Sequence, residues 1–132
     1  MSETKVNPNV IHPELSYRIV GILFEIHNTL GRYCQEKQYG DALETMLKEA
    51  NIPYIREYQI EHALSAISPI RNKVDFVIDK KIIIELKAKH NITRDDYFQA
   101  QRYLKSTDLE LALLVNFRYP HVAVKRILNA RQ

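Results

Sequence analysis

The pattern of apolar and polar positions is clearest between residues 74 and 89. Two runs rich in Val and Ile flank a polar turn, Asp79-Lys80-Lys81, and together they predict a β-hairpin. If the turn is a three-residue loop, Ile78 pairs with Ile82 and Asp75 lies opposite Glu85. One face of the hairpin is then entirely apolar and carries Val74, Phe76, Ile78, Ile82, Ile84 and Leu86. A two-residue turn would mix apolar and charged side chains on both faces, so burial favours the three-residue loop.

The rest of the chain shows helical and extended patterns in alternation. Apolar spacing and end signals predict helices over residues 13–30, about 35–50 and about 94–106, and strands over residues 54–64, 109–117 and 121–127. Thr93 and Asp96 can cap the third helix. The apolar run of residues 109–117 is typical of a strand buried on both faces. Because a helix connects it to the second hairpin strand, we expect these two strands to be parallel.

This order of elements predicts a single α/β domain with a mixed central sheet flanked by helices. The 132 residues suffice for one core. Residues 1–12 are polar and lack a period, so we expect a loose N-terminal arm before a domain of residues 13–132. No run approaches the ~20 apolar residues of a membrane span, and the N-terminus lacks a signal-peptide pattern. With the single cysteine Cys34, which excludes an internal disulfide, these features favour a cytoplasmic protein without a membrane partner.

The charged residues of the hairpin suggest a metal site. In the favoured register, Asp75 and Glu85 lie close together on the second face, which also carries Lys87. Two facing carboxylates repel each other unless a proton or a cation neutralises them. Mg²⁺ binds one or two carboxylates together with phosphate oxygens, so the pair is a candidate ligand set. The alternative is that Lys81 and Lys87 balance the two carboxylates on a solvated sheet face.

These residues also carry a resemblance to a known family. Asp75, followed after nine residues by Glu85-Leu86-Lys87, resembles the Asp…Glu-x-Lys motif of the PD-(D/E)XK nuclease superfamily. More narrowly, the chain from about residue 15 to 117 resembles the small GxxExxY proteins, which are assigned to that nuclease fold. The matching segments are residues 21–31, Glu36-x-x-Tyr39, residues 83–88, Gln101-x-x-Leu104-Lys105 and residues 114–117. The sequence departs from the family at two glycine positions, which are Tyr33 and Arg118 here.

The resemblance implies a restriction-endonuclease-like fold and metal-dependent hydrolysis of phosphodiester bonds in DNA or RNA. Asp75 and Glu85 would bind Mg²⁺ or Mn²⁺, and the backbone carbonyl of Leu86 would be a further ligand. Lys87 would stabilise negative charge on the phosphate or help to position the attacking water.

Two more residues belong to the implied site, each with an alternative. Glu36 would be a third carboxylate directed toward Asp75 and Glu85; alternatively, it is a glutamate that the helix dipole favours in the first turn. Gln101 lies on the apolar face of the third helix and needs hydrogen-bond partners. It either bonds to nearby backbone or orients a water or a phosphate oxygen at the metal site.

The C-terminal half of the chain is basic. The net charge is +3, but from Lys80 onward there are eleven Lys and Arg residues against five Asp and Glu residues. This excess favours a polyanionic partner. The candidate phosphate contacts are Arg94, Arg102, Lys105 and Arg118. The alternative function is a nuclease-fold module that binds nucleic acid or protein without catalysis, including as a homodimer, for which Tyr97 and Phe98 would offer a surface.

Overall fold

The structure is a computed structural model that describes residues 11–60 and 73–130. The helices and strands are α1 (Pro13–Leu30), α2 (Glu36–Glu49), β1 (Tyr54–Gln59), β2 (Lys73–Ile78), β3 (Ile82–Lys87), α3 (Arg94–Thr107), β4 (Leu111–Asn116) and β5 (Ala123–Leu128). The strands form one sheet in the order β1-β2-β3-β4-β5, in which β3 and β4 are parallel and the other neighbours are antiparallel. The predicted mixed sheet with a parallel crossover is confirmed.

The helices cover both faces of the sheet. α1 and α2 pack on one face, where Leu23 and Leu43 join Phe76, Ile84 and other buried residues in the first core cluster. α3 packs on the opposite face, where its buried residues contact β2, β3, β4 and β5 in the second core cluster. All six residues of β4 are buried, as the continuous apolar run predicted.

The ends of α1 follow ordinary rules of helix termination. Pro13 occupies the first turn, where its missing N–H costs no helical hydrogen bond, and Glu14 lies near the positive end of the helix dipole. Gly31 ends the helix with φ +78°, a conformation that glycine adopts readily, and its N–H donates to the carbonyl of His27 at 2.8 Å. Before the helix, the carbonyl of Ile11 accepts a hydrogen bond from Arg126. The rest of the predicted N-terminal arm, residues 1–10, lies outside the described residues.

The hairpin register is confirmed. Ile78 pairs with Ile82, and the turn closes with a 2.9 Å hydrogen bond from the Lys81 N–H to the Ile78 carbonyl. Asp79 and Lys80 both have positive φ angles, which suits the right-handed twist of a tight hairpin.

One part of the predicted apolar face is wrong. Val74 does not share a cluster with Phe76; it belongs to the second core cluster, with Val77 and Ile83. The alternation therefore breaks at Asp75, where the ladder between β2 and β3 has ended at the pair Phe76–Ile84. On β1, Glu57 lies at the same level with φ +55°, between two regular pairs of β1 and β2. A local backbone irregularity thus accompanies the first acidic residue of the motif.

Other predicted boundaries agree to within a few residues. β1 was expected to continue to Leu64, but residues 61–72 lie outside the described part of the chain. α3 begins with the expected capping box, in which Thr93 and Asp96 bond to each other's backbone N–H groups. Within the described residues, no helix is long and apolar enough to cross a membrane.

Candidate active site

Two crossed hydrogen bonds join Asp75 to Glu85 and Leu86 at the point where β2 and β3 separate. The backbone N–H of Asp75 donates to Oε2 of Glu85 at 2.8 Å. The backbone N–H of Leu86 donates to Oδ2 of Asp75 at 2.7 Å. Each carboxylate is thus oriented by a backbone donor of the opposite strand, at the position that follows the last regular pair. This arrangement holds the two acidic groups together, as the predicted register required.

The burial of Glu85 argues against a solvated face. Glu85 is 1% exposed, and Asp75 is half-buried. Lys81, which the alternative interpretation placed near them, lies 3.4 Å from Asp79 at the far end of the hairpin. Carboxylates in such surroundings need compensating hydrogen bonds or a cation, and hard oxygen donors of this kind suit Mg²⁺ or Mn²⁺.

A cavity of about 620 Å³ opens beside Asp75, between α2 and the sheet. It is lined by Glu36, Lys37, Gly40, Asp41, Glu44, Arg56, Glu57, Asp75, Phe76 and Leu86. Acidic side chains outnumber basic ones in this lining. Leu86, the predicted source of a carbonyl ligand, and Glu36, the predicted third carboxylate, both line the same cavity as Asp75.

Glu36 is the first residue of α2 and is exposed. The capping box of this helix uses Gln35 and Gln38, so Glu36 is not needed as a cap. Within the described ranges, no three His, Cys, Asp or Glu side chains form a group that could hold a metal. A bound ion would therefore depend on Asp75, Glu85 and backbone oxygens, with Glu36 farther out.

Lys87 lies next to the N-terminus of α3. It is two residues beyond Glu85 on β3, its side chain is 12% exposed, and its Nζ is 3.8 Å from Oδ1 of Asp96. Lys89 approaches Oδ2 of the same carboxylate at 2.6 Å. Asp96, itself 9% exposed, thus holds two lysine side chains at the end of β3.

The ionisation of Asp96 reflects these contacts. Burial on its own raises the pKa of Asp96, but the hydrogen bonds from Lys89 and Thr93 and the charge of Lys87 outweigh it and hold the pKa below the ordinary value of 3.8. The unfolded chain therefore takes up this proton at a higher pH than the folded chain. The stability that Asp96 contributes is complete above about pH 4 and is lost as the pH falls through the lowered pKa of the folded state.

We expect Asp96→Asn to lower the free energy of unfolding at neutral pH and to flatten its decline below about pH 4. Urea unfolding at a series of pH values measures both effects. Asp95→Asn, an exposed position in the same turn, is the matched control and should change the slope less. A variant that is as stable as the wild type at pH 7 would show that the lysine contacts contribute nothing.

Gln101 takes the first of its two predicted alternatives, bonding to backbone. Its Nε2 donates to the Leu128 carbonyl at 2.8 Å, and its Oε1 accepts from the Ala130 N–H at 3.1 Å. These contacts fasten the end of β5 to α3. Gln101 is not among the described residues that line the cavity beside Asp75. Its predicted role at the metal site stays a prediction.

The four predicted phosphate contacts are distributed over two regions. Arg94, Arg102 and Lys105 are exposed on α3. Arg118 follows β4, and its Nη2 donates to the Ala88 carbonyl at 3.1 Å, directly between Lys87 and Lys89. The Arg118 guanidinium thus supports the backbone that carries the candidate catalytic lysine.

Residues around the end of β4 fix the same segment, and sequence reasoning assigned them no role. Asn116 is 1% exposed; its Nδ2 donates to the Lys89 carbonyl at 2.7 Å and its Oδ1 accepts from the Lys89 N–H at 3.2 Å. The Phe117 N–H donates to the Lys87 carbonyl at 3.0 Å. The Phe117 ring stacks on Tyr39 at 4.0 Å. A polar residue that ends an apolar strand was the available signal for Asn116.

Arg56 on β1 is a further residue to which the sequence pattern assigned no role. It forms ion pairs with Asp41 at 2.7 Å and with Glu44 at 3.2 Å, and its guanidinium lies 5.5 Å from the centre of the Phe76 ring. A Cβ atom at Gly40 would be 2.6 Å from the Arg56 guanidinium, so the absence of a side chain there makes room for this contact. Arg56 places one positive charge in the wall of the acidic cavity.

Comparison with protein families supports the motif. A family model of the PD-(D/E)XK nuclease superfamily matches residues 13–127. No curated protein matches the sequence. Among solved structures, the chain is similar to an alkaline exonuclease from Laribacter hongkongensis, with 14% identity and a TM-score of 0.46 over 96% of this chain and 72% of that chain.

Proposed function

We propose that this chain, which belongs to the PD-(D/E)XK nuclease superfamily, is a metal-dependent nuclease that hydrolyses phosphodiester bonds of DNA or RNA. The observation that carries the proposal is the pair of crossed hydrogen bonds that join Asp75 to Glu85 and to Leu86. These bonds hold the two carboxylates together where β2 and β3 separate, and Asp75 lines a cavity at this point. The nearly buried Lys87 lies two residues beyond Glu85 on β3. Within the superfamily, we assign the chain to the GxxExxY proteins from the five matching segments.

Each residue of the candidate site has a distinct role in the proposed hydrolysis. Asp75 and Glu85 would hold Mg²⁺ or Mn²⁺, with the Leu86 carbonyl as a further ligand. A divalent ion at such a site polarises the scissile phosphate and lowers the pKa of the attacking water. Lys87 stabilises the negative charge that builds up on the phosphate. Because its side chain is 12% exposed, this charge acts where water screens it weakly.

A cleavage assay tests the proposal directly. Single- and double-stranded DNA and RNA are incubated with the protein in Mg²⁺, in Mn²⁺ and in EDTA. We expect cleavage with either metal and none with EDTA. The second candidate function, a nuclease-fold binding module, predicts binding without cleavage under all three conditions and tolerance of substitutions at Asp75.

Metal binding should also be visible without a substrate. We expect millimolar Mg²⁺ or Mn²⁺ to raise the melting temperature, because an ion that binds the folded state alone stabilises it by mass action. At a metal concentration of a hundred times the Kd, the gain is about 2.7 kcal/mol.

Asp75→Asn should abolish most of this shift while retaining a carbonyl oxygen that can accept the Leu86 N–H. Differential scanning fluorimetry measures both proteins. Asp79→Asn, at the hairpin turn, is the control and should keep the shift. Equal shifts in Asp75→Asn and the wild type would place the ion elsewhere on the protein.

A further inference from the structure

A second cavity, of about 800 Å³, lies on the other side of the sheet between α3 and β5. We call it the α3–β5 groove; it is lined by Ile92, Thr93, Arg94, Tyr97, Phe98, Leu114, Lys125, Arg126, Ile127 and Leu128. Two aromatic rings stand in its wall with much of their surface exposed, 36% for Tyr97 and 48% for Phe98. Exposed aromatic rings at a groove are typical of a binding surface.

The groove combines these rings with positive charge. The Lys125 ammonium lies 5.8 Å from the centre of the Tyr97 ring, and the Tyr97 and Phe98 rings are 5.9 Å apart at 66°. Arg94 is exposed at the first turn of α3. Arg126, in contrast, is held by Ser16 and Ile11 and has a structural role. Interfaces with proteins are depleted in lysine, whereas aromatic rings beside cations suit unpaired bases and phosphates.

The strand register connects the groove to Glu85. Glu85 pairs with Leu114 on β4, and Leu114 pairs with Lys125 on β5. Directly opposed residues project from the same face of a sheet, so all three side chains lie on the α3 face. Two strand spacings separate Glu85 from Lys125, which is about 10 Å. That is the length of one to two nucleotides.

We propose that the α3–β5 groove binds single-stranded nucleic acid that leads toward Glu85 and Lys87, on the α3 face of the sheet. Unpaired bases stack on Tyr97 and Phe98, and Lys125 and Arg94 contact the phosphates. A duplex hides its base faces, so the rings discriminate between single and double strands. The direction of the strand rests on the proposed nuclease function, whereas binding in the groove does not.

The test measures binding without cleavage. Fluorescence anisotropy of a labelled 12-nucleotide oligothymidylate and of a labelled DNA hairpin duplex is recorded in EDTA at low salt. Phe98→Leu and Tyr97→Leu keep apolar bulk but remove the ring. We expect each to weaken binding of the single strand about tenfold and to leave binding of the duplex within about twofold.

Lys125→Ala should weaken binding and reduce the dependence of log affinity on log salt by about 0.7, the value for one lost contact with a single strand. Tyr17→Leu is the matched control, because Tyr17 is 81% exposed on α1, on the opposite side of the sheet. It should bind as the wild type does. Melting temperatures of all variants confirm that they fold.

The possible outcomes separate binding in the α3–β5 groove from the proposed nuclease function. Undiminished single-strand affinity in both Tyr97→Leu and Phe98→Leu, or an equal loss in Tyr17→Leu, would overturn the groove as the binding site. No affinity of the wild type for the oligonucleotide would overturn it as well. Binding that depends on the rings, in a protein that never cleaves with Mg²⁺ or Mn²⁺, would support the groove and contradict the proposed nuclease function.

Discussion

Replacing Lys87 with alanine is expected to lower the rate of cleavage about a hundredfold or more while metal binding persists. One preorganised group that stabilises developing negative charge contributes about this much in other enzymes. An ammonium does not bind Mg²⁺, so the shift in melting temperature with metal should remain, or grow once a nearby positive charge is gone. Single-turnover cleavage and metal-dependent melting, measured on the same variant, separate the two effects.

Two further variants define the result. Glu85→Ala should lose cleavage and the metal-dependent shift together, because Glu85 is a proposed ligand. Lys81→Ala is the control: this lysine lies on the same hairpin, is 51% exposed and pairs with Asp79. It should retain both properties. Cleavage by Lys87→Ala at the wild-type rate would show that Lys87 is a structural partner of Asp96. Failure of this variant to fold in the absence of metal and nucleic acid would show the same.

Phe117→Ala is expected to destabilise the protein by about 3–5 kcal/mol. Phe117 is fully buried, stacks on Tyr39 at 4.0 Å and lies 6.2 Å from the ring of His27. Its removal leaves a cavity between α1, α2 and the end of β4, and it removes a stacked pair of rings. For a domain of this size, the melting temperature should fall by about 10 °C or more.

Urea unfolding measures the loss, and Phe24→Ala provides the comparison. Phe24 is 46% exposed on α1, so its removal should cost much less. A loss of less than about 1 kcal/mol at Phe117 would mean that the neighbouring rings collapse into the space.

The hairpin shows why the register could be predicted from the sequence. A slip of one residue moves every side chain of a strand to the other face, so the apolar pattern decides between a two-residue and a three-residue turn. The pairing of Ile78 with Ile82, and with it the meeting of Asp75 and Glu85, followed from that pattern. The exception at Val74 did not; it lies beside Glu57, whose positive φ on the neighbouring strand is not visible in the pattern of the hairpin.

Contacts between distant parts of the chain could not be predicted in the same way. Lys87 meets Asp96 because the crossover brings the N-terminus of α3 to the end of β3. Asn116 binds the backbone of Lys89 through a separation of 27 residues. Periodicity placed Gln101 on the inner side of its helix but could not name its partners on β5. A pattern determines the face of an element, whereas the fold determines what lies opposite.

One row of residues runs across all five strands of the sheet, and the charge of its side chains changes from one edge of the sheet to the other. Glu57 lies on β1, the two carboxylates of the motif follow on β2 and β3, and Lys125 lies on β5. A polyanion that approaches by diffusion meets attraction at the β5 edge and repulsion at the β1 edge. Charges are screened within about 8–10 Å at physiological ionic strength, so this gradient acts over about two strand spacings. This gradient would orient a polyanion at close range, with its first contacts at the edge opposite the acidic cavity.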